Sequence, residues 1–346
     1  MKDRDISLDF FKGICIISVV CIHSFDSSNN SDVFANFDIA FRQVFNFAVA
    51  GFIWVAGYWM GFSSLKSISP KLSLLKRRLS GVFVPYLIWT TFYLLIFARK
   101  NTISLKYICS SIFFGKASGQ LYFIPVLIQL FLLTRLIFFL YYNKLLLKVA
   151  LFINLSYIIL IYFLASLNIQ ISFPYYAVPF MGWIFFYSLG IYIGINNDEL
   201  ILHPFLRLRY FLFTILIITL LSSIIEAELI NSKFKLLQIA LSQIKISSFL
   251  YANSIILLFI IYRKSFMRKN IVSNLGQISF GIFLTHLLFM NLVKKILPGI
   301  DHSFIVHLGI IFARVCIIIF LSWSLIKFLR VILRNNSQIL KKIGFI

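Results

Sequence analysis

Runs of about twenty apolar residues recur along this chain of 346, and that is the length a helix needs to cross a hydrocarbon core. Inside a bilayer the backbone has no water to bond, so only helices and closed barrels can span it. Strict alternation of apolar and polar residues is absent, which disfavours a barrel. The expected fold is therefore all-α, a polytopic integral membrane protein of about ten transmembrane helices, near 8–25, 40–62, 81–98, 119–140, 146–167, 174–195, 209–226, 246–262, 278–297 and 304–327. Only 13% of the residues are charged and 60% are hydrophobic, about half the charged share of a soluble domain. The connectors are short, so residues 1–346 read as one transmembrane domain. The first apolar run holds Asp9, Lys12 and His23; it reads as a retained helix, not a cleaved signal.

A net charge of +22 would fit a nucleic-acid binder, but here the basic residues sit in short loops between apolar runs. That is the pattern by which Lys and Arg hold loops in the cytoplasm, so no nucleic-acid partner is expected. With both termini cytoplasmic, twenty basic residues fall on inner segments and ten on outer ones. The expected location is a bacterial inner membrane. Cys15, Cys21, Cys109 and Cys316 show neither CxxC nor Cys/His spacing, so neither a disulfide framework nor a metal site is expected.

Ionisable residues at membrane depth are costly and point to function. Lys12 and His23 stand eleven residues apart in LDFFKGICIISVVCIHSFD. Eleven steps of about 100° bring both to nearly one helix face, about 16 Å apart along the axis. Asp26 follows His23 by three residues, within reach of the imidazole. A cation at one end and a titratable base at the other suit a long ligand with an anionic head, such as an acyl-CoA thioester. Lys12 would hold the phosphates, His23 would deprotonate a sugar hydroxyl, and Asp26 would fix the tautomer of His23. The plainer alternative is that Lys12 snorkels to the interface and His23 bonds a neighbouring helix.

Lys76, Arg77 and Arg78 precede the third expected helix in KRRLSGVFVPYLIW. They serve either as a topological anchor or as a second acyl-CoA phosphate contact. His286, in ISFGIFLTHLLF, either lines a cavity or bonds across helices.

The opening LDFFKGICIISVVCIH resembles the first-helix signature of the acyltransferase-3 family, ten-helix membrane enzymes that acylate surface glycans. AGFIWVAGYWMG, KRRLSGVFVPYLIW, GQLYFIPVL, GWIFFYSLGIYIG and ISFGIFLTHLL resemble that family's later stretches, in order, across residues 5 to 290. Lys12 stands where the family usually has Arg, which replaces a bidentate fork by a point charge. Arg77 and Arg78 do not reproduce its two arginines three apart, and Tyr122 replaces a usual Trp. The resemblance implies an O-acyltransferase with acetyl-CoA as the expected donor and no bound cofactor. Its acceptor would be a lipid-linked or surface glycan among membrane lipids, with Tyr122 and His286 lining the site. An inner-membrane polysaccharide exporter or flippase is the alternative, although paired broken helices with repeat symmetry are not evident.

Overall fold

The computed structural model describes residues 5–25, 35–64, 70–98, 103–196, 209–298, 303–334 and 336–345. Among these every regular element is helical. In chain order they are α1 (Ile6–Ser24), α2 (Ala35–Gln43), α3 (Ala48–Ser63), α4 (Leu72–Ala98), α5 (Leu105–Phe114), α6 (Phe123–Tyr142), α7 (Leu146–Ser166) and α8 (Ile184–Asn196). There follow α9 (Arg209–Phe234), α10 (Leu237–Ala240), α11 (Ile246–Tyr262), α12 (Ile271–Gln277), α13 (Ser279–Ile296), α14 (Phe304–Ile332) and α15 (Ser337–Lys342). Among the described residues nine spans are long and apolar enough to cross a membrane, with α2 and α3 contributing one, Asn36–Ser63. The protein is a polytopic, multi-pass membrane protein.

The segment expected at 174–195 is only partly helical, and α8, at 13 residues, is too short by itself to cross a core of about 30 Å. Backbone that leaves a helix at membrane depth must find partners within the protein, and side chains supply them here. The Gln129 amide donates to the Val178 carbonyl at 3.0 Å and accepts from Phe180 N at 3.0 Å. Tyr157 Oη donates to the Tyr176 carbonyl at 2.7 Å, and Trp183 Nε1 to that of Ala177 at 2.8 Å.

Two other boundaries differ from expectation. The connector expected between residues 99 and 118 contains α5, capped by the Ser104 side chain, which accepts from Tyr107 N. It ends at Gly115, whose φ of +70° puts it in the left-handed region, where glycine lacks the Cβ penalty. Helix α4 starts well before residue 81 because Leu72, Leu74, Lys76, Arg77 and Arg78 are all good helix formers.

Contacts group the chain into two compact units, Met1–Phe52 with Ile201–Leu329, and Ile53–Leu200 with Arg330–Ile346. In the first unit α1 packs on α12 and α13, and α9 packs on α2, α10 and α11. The α1–α12 contact is backbone to backbone. A Cβ added at Gly276 would lie 1.7 Å from the Asp9 carbonyl oxygen, and one at Gly13 would lie 2.0 Å from that of Val272. Phe11 stacks on Phe259 with ring centroids 4.4 Å apart.

The second unit repeats this device between α3 and α8. A Cβ at Gly57, Gly61, Gly190 or Gly194 would come within 2.1, 2.4, 2.2 or 2.3 Å of the carbonyl oxygens of Tyr187, Ile191, Trp54 and Tyr58 respectively. Each helix thus offers two glycines four residues apart, the small-residue spacing that lets membrane helices approach closely. Helix α4 packs on α6 and α15 in the same unit, and Trp89 Nε1 donates to the Ile343 carbonyl at 3.1 Å.

Candidate active site

Helix α1 runs unbroken from Ile6 to Ser24, so the shared face of Lys12 and His23 follows from its periodicity. Its start is fixed by Asp5, whose carboxylate caps Leu8 N at 3.1 Å and pairs with Arg263. One turn further on, Lys12 Nζ lies 2.8 Å from Asp9 Oδ1, and the Asp9 side chain is almost wholly buried. Lys12 is therefore the partner of a buried carboxylate and not a bare cation, which the spacing argument did not foresee.

At the other end of α1 the structure joins two residues that the sequence offered separately. The imidazoles of His23 and His286 lie 5.3 Å apart, centroid to centroid, at 46°. His286 is fully buried on α13, whereas His23 is only half-buried. His286 Nδ1 is 2.8 Å from the Phe283 carbonyl oxygen and 3.2 Å from that of Ile282. The expected Asp26 partner lies outside the described residues.

A buried arginine and a half-buried lysine tie this end together. Arg314, 1% exposed, donates through Nη1 to the Ser24 carbonyl at 2.9 Å and through Nη2 and Nε to the Leu297 carbonyl at 2.7 and 3.0 Å. Lys294 Nζ donates to the Phe25 carbonyl at 2.9 Å. A helix leaves its last four carbonyls unpaired and its C-terminus partly negative, so α1 ends in cationic donors. The charges of Arg42 and Lys294 also bear on His23. Such a positive environment suits a developing oxyanion.

Around this end lies a shell the sequence did not disclose. Phe25 meets Phe41 edge-on at 5.7 Å, and Asp38 accepts from or pairs with His307 Nε2 at 2.7 Å, fastening α2 to α14. Gln43 Oε1 accepts from Lys245 Nζ at 2.8 Å, Asn46 Nδ2 at 2.7 Å and Ser223 Oγ at 3.2 Å. Lys245 also donates to the Ala240 carbonyl at 2.8 Å. Burial pushes the Lys245 ammonium down to about 7, with Glu226 opposing and Arg42 adding to the shift. Counted by sequence, Lys245 is one more loop cation; only its burial sets it apart.

The remaining candidates belong to the second unit. Lys76 and Arg77 are exposed and Arg78 is half-buried, all within the first turns of α4 rather than ahead of it. Tyr187 shares a 2.9 Å hydrogen bond with Thr134. Tyr122 precedes α6 and meets Phe173 edge-on at 5.2 Å.

The spanning helices make this a membrane protein, and the imidazole pair within them is a group able to carry a proton. The chain belongs to the acyltransferase-3 family, whose model, described as an acyltransferase domain, matches residues 5–327. It is a membrane acyltransferase that transfers groups other than aminoacyl groups. It is 25% identical over 343 residues to a Bacillus subtilis (strain 168) protein named as the membrane-bound acyltransferase YfiQ, across 91% of this chain and 90% of that one. It is also 24% identical over 331 residues to a Staphylococcus epidermidis protein named as a poly-beta-1,6-N-acetyl-D-glucosamine export protein, across 90% of this chain and 88% of that one. No solved structure matches significantly.

Proposed function

We propose that this acyltransferase takes an acyl group, acetyl as the simplest case, from cytoplasmic acyl-CoA. It passes the group to a hydroxyl of a lipid-linked or surface glycan at a bacterial inner membrane. The observation that carries this reading is the His23–His286 pair, with rings 5.3 Å apart, at the end of α1 remote from Lys12. Neutral His23 takes the proton of the glycan hydroxyl as its oxygen attacks the thioester carbon. The C–O bond forms, and Arg42 and Lys294 stabilise the oxyanion. Collapse then breaks the C–S bond, and the CoA thiolate takes the proton back from His23. Lys12 is proposed to meet the donor's phosphates while paired with Asp9. Lys76, Arg77 and Arg78 are proposed as further phosphate contacts, and Tyr122 as a lining residue.

Export is the second reading, favoured by the name of the staphylococcal relative. Membrane vesicles carrying the full-length protein, given acetyl-CoA and glycan lipid, separate the two. Free CoA thiol released together with O-acetylated glycan supports the transferase. Glycan moved across the vesicle without thiol release would instead establish the exporter.

A further inference from the structure

The two ring nitrogens of His286 are not equivalent. A carbonyl oxygen has no proton to give, so Nδ1, set against the carbonyls of Phe283 and Ile282, must carry the hydrogen. In the neutral ring Nε2 is then a lone-pair acceptor. That nitrogen is buried with no hydrogen-bond partner among the described residues. Leaving a buried polar atom unmet costs about 1–3 kcal/mol, and a leucine would fill comparable space without that cost. Packing therefore accounts for the ring's volume and not for its chemistry.

His23 is the neighbour that gives Nε2 a purpose. Two imidazoles joined edge to edge by an N–H···N bond of about 2.9 Å have centroids roughly 5.2 Å apart, and the observed separation is 5.3 Å. At that separation the bond forms once the half-buried His23 ring turns an N–H toward Nε2. The acceptor cannot drift, because Nδ1 is held by its own helix and Arg314 ties the ends of α1 and α13.

We propose that His286 is a positioning residue for acyl transfer: its Nε2 accepts the N–H of His23, so that the opposite nitrogen of His23 presents its lone pair to the acceptor hydroxyl. This rests on the reading of His23 as general base. When His23 takes the hydroxyl proton it becomes an imidazolium, and its bond to His286 strengthens as the charge appears. The proton leaves on the CoA thiolate, and His286 ends the cycle unchanged. Arg42 and Lys294 are the other charged groups that bear on His23; neither can accept its N–H.

The test compares His286→Leu with His286→Gln, whose amide oxygen restores an acceptor near the Nε2 position. In vesicles carrying the full-length protein, kcat for thiol release from acetyl-CoA should fall on the order of 100-fold in His286→Leu. KM should be unchanged, and His286→Gln should recover most of the loss. The limb of the pH–rate profile that reports His23 should move in His286→Leu and return in His286→Gln. Equal activity in wild type and His286→Leu overturns the proposal. Nitrogen-15 histidine NMR of the detergent-solubilised protein gives a reading independent of activity. His23→Ala should shift the Nε2 resonance of His286 and leave its Nδ1–H unchanged. An unshifted Nε2 overturns the pairing even if neither His286 variant folds well enough to assay. Wild-type protein that releases no thiol would instead defeat the transferase reading and leave the NMR result standing.

Discussion

Arg314 joins the last residue of α1 to the residue after α13: its guanidinium donates to the Ser24 carbonyl at 2.9 Å and to the Leu297 carbonyl at 2.7 Å. His23 directly precedes Ser24, and His286 lies on α13, so the separation of the two imidazoles is set partly from a third helix. Arg314→Met should lower the thermal unfolding midpoint clearly, because hydrogen bonds to a charged group contribute about 1.5–3 kcal/mol each. Arg314→Lys should recover stability only in part, since an ammonium lacks the fork that spans two carbonyls. Circular dichroism melts in detergent check both, and an unchanged midpoint in Arg314→Met would show that the tie carries no load.

His23→Ala should reduce turnover by roughly a hundred- to ten-thousand-fold, the range for losing a general base. Folded yield should stay near wild type, because the ring is only half-buried. Thiol release at saturating acetyl-CoA, with size-exclusion profiles as the folding control, measures this. Near-normal turnover would make His23 a packing residue.

The Asp9–Lys12 pair predicts a reversal. Lys12→Ala alone should lose folded protein, because it removes the cation 2.8 Å from the buried Asp9 carboxylate. Adding Asp9→Asn should restore the yield. In that double variant an elevated KM for acyl-CoA would show that Lys12 also serves the donor, whereas a wild-type KM would leave it as the counter-ion of Asp9. Arg77→Gln/Arg78→Gln should raise the same KM if these residues meet phosphate, and leave it unmoved if they only set topology.

Lys245 predicts a pH dependence of stability. Its ammonium is pushed down to about 7 in the fold and reverts to about 10.4 when the chain unfolds. Between these values the unfolded state binds more protons, so stability rises with pH across that window. Below about 7 both states are protonated and the penalty is fully present; above the unfolded value it is gone. Lys245→Met should flatten the slope of melting temperature between pH 7 and 9. A slope equal to wild type would assign the dependence to other groups.

The spans were legible in the sequence because hydrophobic length is a local property. Helix α1 at Ile6–Ser24 and α7 at Leu146–Ser166 fall close to the expected 8–25 and 146–167. The 174–195 stretch misled because it is apolar enough to span, while the cost of its unwound backbone is met by Gln129 and Tyr157 on other helices and by Trp183 within the stretch itself. The site divides in the same way. Lys12 and His23 stand out as ionisable residues in an apolar helix, and His286 as one in another. That the two imidazoles meet depends on the packing of α1 against α13, which no spacing within either helix encodes. Arg314 and Lys245 were visible as charges, but their burial and their carbonyl partners are tertiary facts.

The paired glycines of α3 and α8 bear on how relatives of this chain should be read. Gly57, Gly61, Gly190 and Gly194 each face a carbonyl oxygen too close for a methyl group, so a substitution at one cannot be absorbed by side-chain repacking. It would need the helices to part, and with them the hydrogen-bonded bend that leads into α8. Selection on shape alone would hold these four positions fixed. An invariant residue there would mark a hinge that must not open, and ranking positions by invariance would place them beside His23 without their ever touching an acyl group.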